Sequence, residues 1–351
     1  MSAKRRAGVV GGVFGAVAAG VAAGVALERL AVGRDRLRPD PEAGEAFGRL
    51  PGRESTVVLP DGVRLHVEET GSGPLTVVFA HGFALSLASW HYQRRDLADV
   101  GRLVFYDQRC HGRSSRGADE DCTLAQLGHD LAAVIEAVAP TGPVALVGHS
   151  MGGMSVMSLA QERPDLFDER IVAVALLATS AGGVAEALVP IPQRAADVVT
   201  SRLLPRVHRV AAAPLIARGR RAGSDLNFVF TKMWGFGDNP SPAQVELVER
   251  MTSATPFDVL TAFVPTFVEH DLYRGLDVLG RVPVLLVGGT RDRMTKYAHT
   301  EEIARRVPGA QLVTLAGAGH MLMVERAPLV NLHLRAFLRR AMRSGGVARG
   351  A

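Results

Sequence analysis

At 351 residues the chain is long enough for one large domain with an insertion. Hydrophobic residues make up 47% and charged residues 21%, which suits a well-buried globular core and excludes a disordered chain. The net charge of +5 comes from arginines spread along the sequence, with no nucleic-acid motif beside them, so nucleic acid is not an expected partner.

In chain order, Lys4, Arg5 and Arg6 precede an uncharged stretch from Ala7 to Leu27, long enough to cross a bilayer core. The stretch is built from Ala, Gly and Val with Phe14 as its aromatic, so its hydrophobicity is marginal. Residues 1–33 read first as a membrane anchor, which would make the protein membrane-associated. A cleaved secretory signal and a soluble apolar helix are the alternatives. Residues 34–53, rich in Arg, Pro, Gly and acid, read as a linker.

From residue 54 onward, apolar runs of strand length alternate with helical stretches. That pattern predicts an α/β fold with a mostly parallel, doubly wound sheet. Thr76–Ala80 runs into His81-Gly82-Phe83, and Leu103–Tyr106 into Asp107-Gln108-Arg109-Cys110-His111-Gly112-Arg113-Ser114. Val144–Val147 leads to Gly148-His149-Ser150-Met151-Gly152-Gly153 and then to a helical stretch from Met154 to Arg163. After the strand Val172–Leu177 come about 100 residues without strand character, too many for a simple crossover. Amphipathic patterns near 192–204, 207–218 and 244–252 make this insertion helical, so residues 183–275 read as a cap. Its aromatics, Phe228, Phe230, Trp234, Phe236, Phe257, Phe263 and Phe267 among them, are expected mostly to anchor the cap and in a minority to touch substrate. Val284–Val287 then enters the loop carrying Asp292, and Leu312–Leu315 enters Ala316-Gly317-Ala318-Gly319-His320. The α/β core is therefore expected over 54–182 and 276–342, with a flexible tail at 343–351.

A serine between small residues at the corner from strand to helix is the nucleophile elbow, G-x-S-x-G. A Cβ at position 148 or 152 is expected to collide with the adjoining strand or helix, and the turn lifts the hydroxyl out of the sheet. Serine needs a base to attack a carbonyl at neutral pH, and the base needs a third group to orient it. Asp292 and His320 each follow the end of a predicted strand, the edge at which doubly wound sheets build their sites.

Taken together, the segments HGF, DQRCHGRS, GHSMGG, GTRD and GAGH resemble the α/β-hydrolase superfamily in content and order, over roughly residues 54 to 342. The resemblance implies a catalytic triad of Ser150 as nucleophile, His320 as general base and Asp292 as orienting acid. It also implies an oxyanion hole from the backbone N–H groups of Phe83 and Met151. Two departures stand out: Cys110 occupies the first glycine of the usual D-x-R-G-H-G-x-S, and Lys296 stands where a proline often follows the acid loop. Neither touches a triad position.

The implied activity is hydrolysis of carboxylic esters with an apolar acyl part through an acyl-enzyme, with no cofactor and no metal. Cofactor-free haloperoxidase or perhydrolase chemistry, or carbon–carbon or thioester hydrolysis, would use the same triad. A non-catalytic binding protein that keeps the fold is the alternative of another class. For the other polar motif residues the structural reading is preferred. His81 should hydrogen-bond nearby backbone, Asp107 should pair with Arg109 to brace a turn, and His149 should be a packed neighbour. Cys110 and Cys122 are expected to be free thiols, a single bridge being the alternative.

Overall fold

The computed structural model describes residues 38–184 and 224–348, besides Gly33. Eight strands form one sheet: β1 (Arg53–Val58), β2 (Arg64–Thr70), β3 (Thr76–Ala80), β4 (Arg102–Tyr106), β5 (Val144–His149), β6 (Ile171–Leu177), β7 (Val284–Gly289) and β8 (Gln311–Leu315). Their spatial order is β1-β2-β4-β3-β5-β6-β7-β8. β1 pairs antiparallel with β2, and β2 antiparallel with β4. Every other pairing is parallel.

The inner strands are continuous apolar runs because both faces of the sheet are covered. Side chains alternate between the faces. Val78, Val104, Leu146, Val174 and Leu286 pack on one side with the helices Leu124–Val138 and Met151–Glu162. Phe79, Phe105, Val147, Ala175 and Val287 pack on the other with His91–Asp96 and the long helix Ala327–Ala348. The antiparallel pair β1–β2 went unmarked in the sequence because β1, Arg-Glu-Ser-Thr-Val-Val, buries only Val57.

Parts of the flanking segments are more ordered than their composition suggests. Within the expected linker, Phe47 is buried against His91 and Tyr92. Glu42 accepts from the Ser241 hydroxyl at 2.7 Å, and Asp40 accepts from the backbone N–H of Ala243 at 2.7 Å. Side-chain packing and charged hydrogen bonds thus dock residues 40–47 against the helices His91–Asp96 and Pro242–Ala254. At the other end, the helix Ala327–Ala348 runs through much of the segment expected as a tail. The insertion contributes helices Ser224–Gly235, Pro242–Ala254, Phe257–Glu269 and Tyr273–Leu279. Phe228, Phe236 and Phe263 are buried, whereas Phe230 is exposed. The amphipathic patterns at 192–204 and 207–218 lie outside the described residues, as does the apolar stretch 7–27. Among the described residues no helix is long and apolar enough to cross a membrane.

The turn from β5 into Met151–Glu162 sets the geometry of the sheet's centre. Ser150 has φ 52°, ψ −119°, a backbone conformation that side chains rarely adopt. It is held by its N–H donating to Leu177 O at 3.0 Å and by its own carbonyl, which accepts from the Thr179 hydroxyl at 2.7 Å. A Cβ on Gly152 would sit 2.0 Å from Ala80 O, and one on Gly148 would sit 2.6 Å from Gly152 O. Gly152→Ala is therefore expected to cost at least about 2 kcal/mol of stability, measured as a lowered urea midpoint. An unchanged midpoint would mean that the helix slides freely away from β3.

Candidate active site

Five loops meet at the carboxyl edge of the parallel strands, the edge where such sheets bind ligands. They follow β3 (His81 onward), β5 (Ser150), β6 (Thr179, Ser180), β7 (Asp292) and β8 (His320). Ser150, Asp292 and His320 are 8%, 6% and 4% exposed, so the three polar side chains are buried at this edge and not spread on the surface.

The acid and the histidine are joined directly: His320 Nδ1 lies 2.9 Å from Asp292 Oδ2. The Asp292 carboxylate accepts three further hydrogen bonds, from Met294 N–H at 2.8 Å, Thr295 N–H at 2.9 Å and the Thr295 hydroxyl at 2.9 Å. An acceptor so fully engaged is fixed in rotamer, and it requires Nδ1 of His320 to carry its proton. Thr295 Oγ1 also lies 3.2 Å from that same nitrogen. Thr295 escaped the sequence reading; its one signal is its place at the end of the turn Asp292-Arg293-Met294-Thr295.

The histidine loop is held from behind. His149 Nε2 lies 3.0 Å from the carbonyl oxygen of His320, and the two ring centroids are 4.8 Å apart. With Nε2 as donor, Nδ1 of His149 is a bare acceptor, and it is buried without a partner. Burial and the neighbouring His320 hold the His149 pKa far below the usual histidine range. Glu325 Oε2 accepts from Gly319 N–H at 2.8 Å and Gly237 N–H at 3.0 Å, tying the loop to the inserted helices. The residue beside the serine is thus a packed neighbour that also anchors the adjacent histidine.

Ser150 opens the helix Met151–Glu162, whose first N–H groups have no partner within the helix. Among the described residues neither the Met151 N–H nor the Phe83 N–H donates to a protein acceptor, and no hydrogen bond links the Ser150 hydroxyl to His320. Phe83 is half-buried, and its ring packs against Phe267 at 5.0 Å, Phe263 at 5.8 Å and His111 at 5.9 Å.

His81 is fully engaged with backbone. Its Nε2 accepts from the Gln108 N–H at 3.0 Å, so Nδ1 carries the proton and donates to Gly82 O at 2.8 Å. The Gln108 side chain donates to His81 O at 2.5 Å, and its Oε1 lies 2.8 Å from the Ser155 hydroxyl on the helix after Ser150. One expectation is corrected here. Asp107 does not pair with Arg109; its carboxylate accepts from the N–H groups of Leu87 and Arg113, each at 2.7 Å. Arg109 is turned the other way, into the carboxylates of Asp130 and Asp61. A separate His–carboxylate group, Glu54, His66 and Glu68, gathers on β1 and β2. Arg113 and Arg94 already occupy its carboxylates, which disfavours a cation there.

Residues 76–327 match the family described as the alpha/beta hydrolase fold. The chain is 26% identical over 309 residues to a dihydrolipoyllysine-residue acetyltransferase component of the acetoin cleaving system of Pseudomonas putida, covering 88% of this chain and 72% of that protein. It is 29% identical over 297 residues to a non-heme chloroperoxidase of Streptomyces lividans, covering 81% and 99%. Among solved structures, a hydrolase from Pseudomonas aeruginosa superposes with a TM-score of 0.62 at 27% identity, over 82% of this chain and 99% of that one.

Burial lowers the pKa of His81 to about 3 and that of His111 to about 4. Unfolded histidine titrates near 6.5, so below that pH the unfolded chain binds protons that the folded chain refuses. The stability these rings contribute is complete above about pH 6.5 and declines as pH falls toward about 4, by at most ~1.4 kcal/mol per pH unit for each ring. Urea midpoints should therefore fall between about pH 7 and about pH 5, and His111→Phe should flatten that dependence. A dependence identical in the variant would remove His111 from the account.

An eight-stranded, mostly parallel sheet covered by helices, with the family's match running across β3 to β8, makes this chain a member of the alpha/beta hydrolase family of enzymes.

Proposed function

We propose that the protein is a serine hydrolase that cleaves carboxylic esters through an acyl-enzyme, using Ser150, His320 and Asp292. The observation that carries this reading is the 2.9 Å contact between His320 Nδ1 and Asp292 Oδ2, at the same sheet edge where the elbow holds Ser150 at φ 52°. That pair leaves Nε2 of His320 as the acceptor for the Ser150 proton. As Ser150 Oγ attacks the carbonyl carbon, the proton passes to Nε2, and the imidazolium is stabilised by the Asp292 carboxylate. The Phe83 and Met151 N–H groups meet the oxygen that gains charge. Each such donor is worth on the order of 100- to 1000-fold in rate. The leaving alcohol takes the proton back from Nε2. Water, deprotonated by the same nitrogen, then releases the acid. Apolar acyl groups suit the partly exposed rings of Phe83 and Phe267, which pack on each other at 5.0 Å and are backed by the buried Phe263.

In the purified chain, Ser150→Ala is expected to reduce kcat on short aryl esters by at least about 10⁴-fold and to abolish labelling by a fluorophosphonate. Esterase activity surviving in the alanine variant would overturn the assignment. Thr295→Val removes a hydroxyl donor from Asp292 while keeping the side chain's volume. It should lower kcat by about 10-fold, or ~1.4 kcal/mol, with KM nearly unchanged. A change confined to KM would place Thr295 in binding instead.

A second reading, perhydrolysis, is favoured by the similarity to a chloroperoxidase over nearly that protein's whole length. Hydrogen peroxide in place of water would release the acyl-enzyme as a peracid. Peracid formed from a carboxylic acid and peroxide by the parent, and absent from Ser150→Ala, would support it.

A further inference from the structure

The loop from Asp107 to Cys122 holds two sulfur atoms that the hydrolytic chemistry does not use. Cys110 Sγ and Cys122 Sγ lie 3.9 Å apart, and both are free thiols. They are 7% and 3% exposed. Only Cys110 borders a cavity of about 780 Å³, bounded also by Phe47, Leu85, Ser86, Arg116 and Met251. Cys110 is thus the residue of the pair that borders open space, and Cys122 stands directly behind it.

We propose that Cys110 and Cys122 form a reversible dithiol–disulfide couple in which Cys110 reacts first with hydrogen peroxide and Cys122 closes the bridge. The surroundings suit those unequal roles. The contact with the Cys122 sulfur, against the opposing effect of burial, holds the Cys110 pKa down to about 7. The Gly117 N–H and the guanidinium groups of Arg109 and Arg116 act in the same direction. Cys122 is driven the opposite way, by its contact with Cys110 and by burial, and it stands behind Cys110 relative to the cavity. Thiolate character and access are the two properties that select a peroxide-sensitive cysteine.

The chemistry balances with peroxide alone. The Cys110 thiolate attacks one peroxide oxygen, the O–O bond breaks, and hydroxide leaves to take up a proton as water. Cys110 is then a sulfenic acid. The Cys122 sulfur attacks the Cys110 sulfur, an S–S bond forms as the S–O bond breaks, and the hydroxide departs with the Cys122 proton as the second water. Two thiols lose two electrons and one peroxide gains them. Closing from 3.9 Å to a bonded separation of about 2.05 Å asks for less than ~2 Å of sulfur movement, within the range of a side-chain adjustment.

The test uses the folded full chain, treated with hydrogen peroxide, quenched by alkylation in denaturant and read by intact mass and peptide mapping. The expected product is a monomer lighter by two hydrogen atoms. Neither thiol should alkylate, a peptide should join Cys110 to Cys122, and dithiothreitol should restore both thiols. In Cys122→Ser, dimedone should trap a sulfenic acid on Cys110. In Cys110→Ser, the remaining thiol should react at least about 10-fold more slowly. Two alkylatable thiols persisting in the folded parent, cross-linking between chains, or Cys110→Ser oxidising as fast as the parent would each overturn the proposal. Should either variant fail to fold, the mapped cross-link in the parent decides alone.

Discussion

The contact between the start of the helix Met151–Glu162 and the end of β3 is the constraint on which the centre of the molecule depends. A glycine at 152 brings helix backbone onto the carbonyl oxygens of Ala80 and His81, where no side-chain carbon fits. That approach forces the chain at Ser150 into a positive φ, and it places the loop after β3 against the first turn of the helix. The same contact therefore strains the serine and sets the N–H groups of Phe83 and Met151, unpartnered among the described residues, on neighbouring segments. A looser packing would relax the serine and separate the donors. The strain, of order 1–3 kcal/mol, is met by the hydrogen bonds from Thr179 and to Leu177 and by the buried apolar faces of β5 and its helix.

Around this contact the protein builds with neutral histidines. His81, His111 and His149 are each almost wholly buried, and each has one ring nitrogen against a backbone carbonyl. A neutral imidazole offers one donor and one acceptor on a rigid plate, so it can brace loops of fixed shape where no charge is tolerated. His320 differs because it faces a carboxylate. His81, His111 and His149 each commit a ring nitrogen to a backbone carbonyl, whereas His320 directs Nδ1 to the Asp292 carboxylate.

Much of this was legible in the sequence, and for physical reasons. Strands buried on both faces must be apolar throughout, so β3 to β7 stood out, while β8, half exposed at the sheet's edge, was marked by Leu312, Val313 and Leu315. The order of serine, aspartate and histidine along the chain could be read for the same reason. β1 was hidden because a solvated edge strand needs no apolar run. Thr295 was hidden because a threonine at the end of a turn is ordinary until its hydroxyl is placed on the Asp292 carboxylate. The second role of His149 was hidden because its bond to His320 O joins distant loops that no local spacing relates. Arg109 shows the limit most clearly. Asp107 is two residues away and Asp130 is on a helix across the loop, yet the guanidinium goes to Asp130 because Asp107 is consumed by backbone donors.

That choice of partners also explains what surrounds Cys110. With Asp107 pinned to Leu87 and Arg113, the chain turns sharply, and Cys110 takes φ 67°. A glycine would adopt this at no steric cost, whereas a side chain there costs on the order of 1–2 kcal/mol. The turn is retained because both its ends are tied, at Asp107 by its carboxylate and at Ser115 by the N–H of Cys110. The side chain that takes on this cost is packed in the core and holds its sulfur 3.9 Å from that of Cys122, the separation from which the proposed bridge would close.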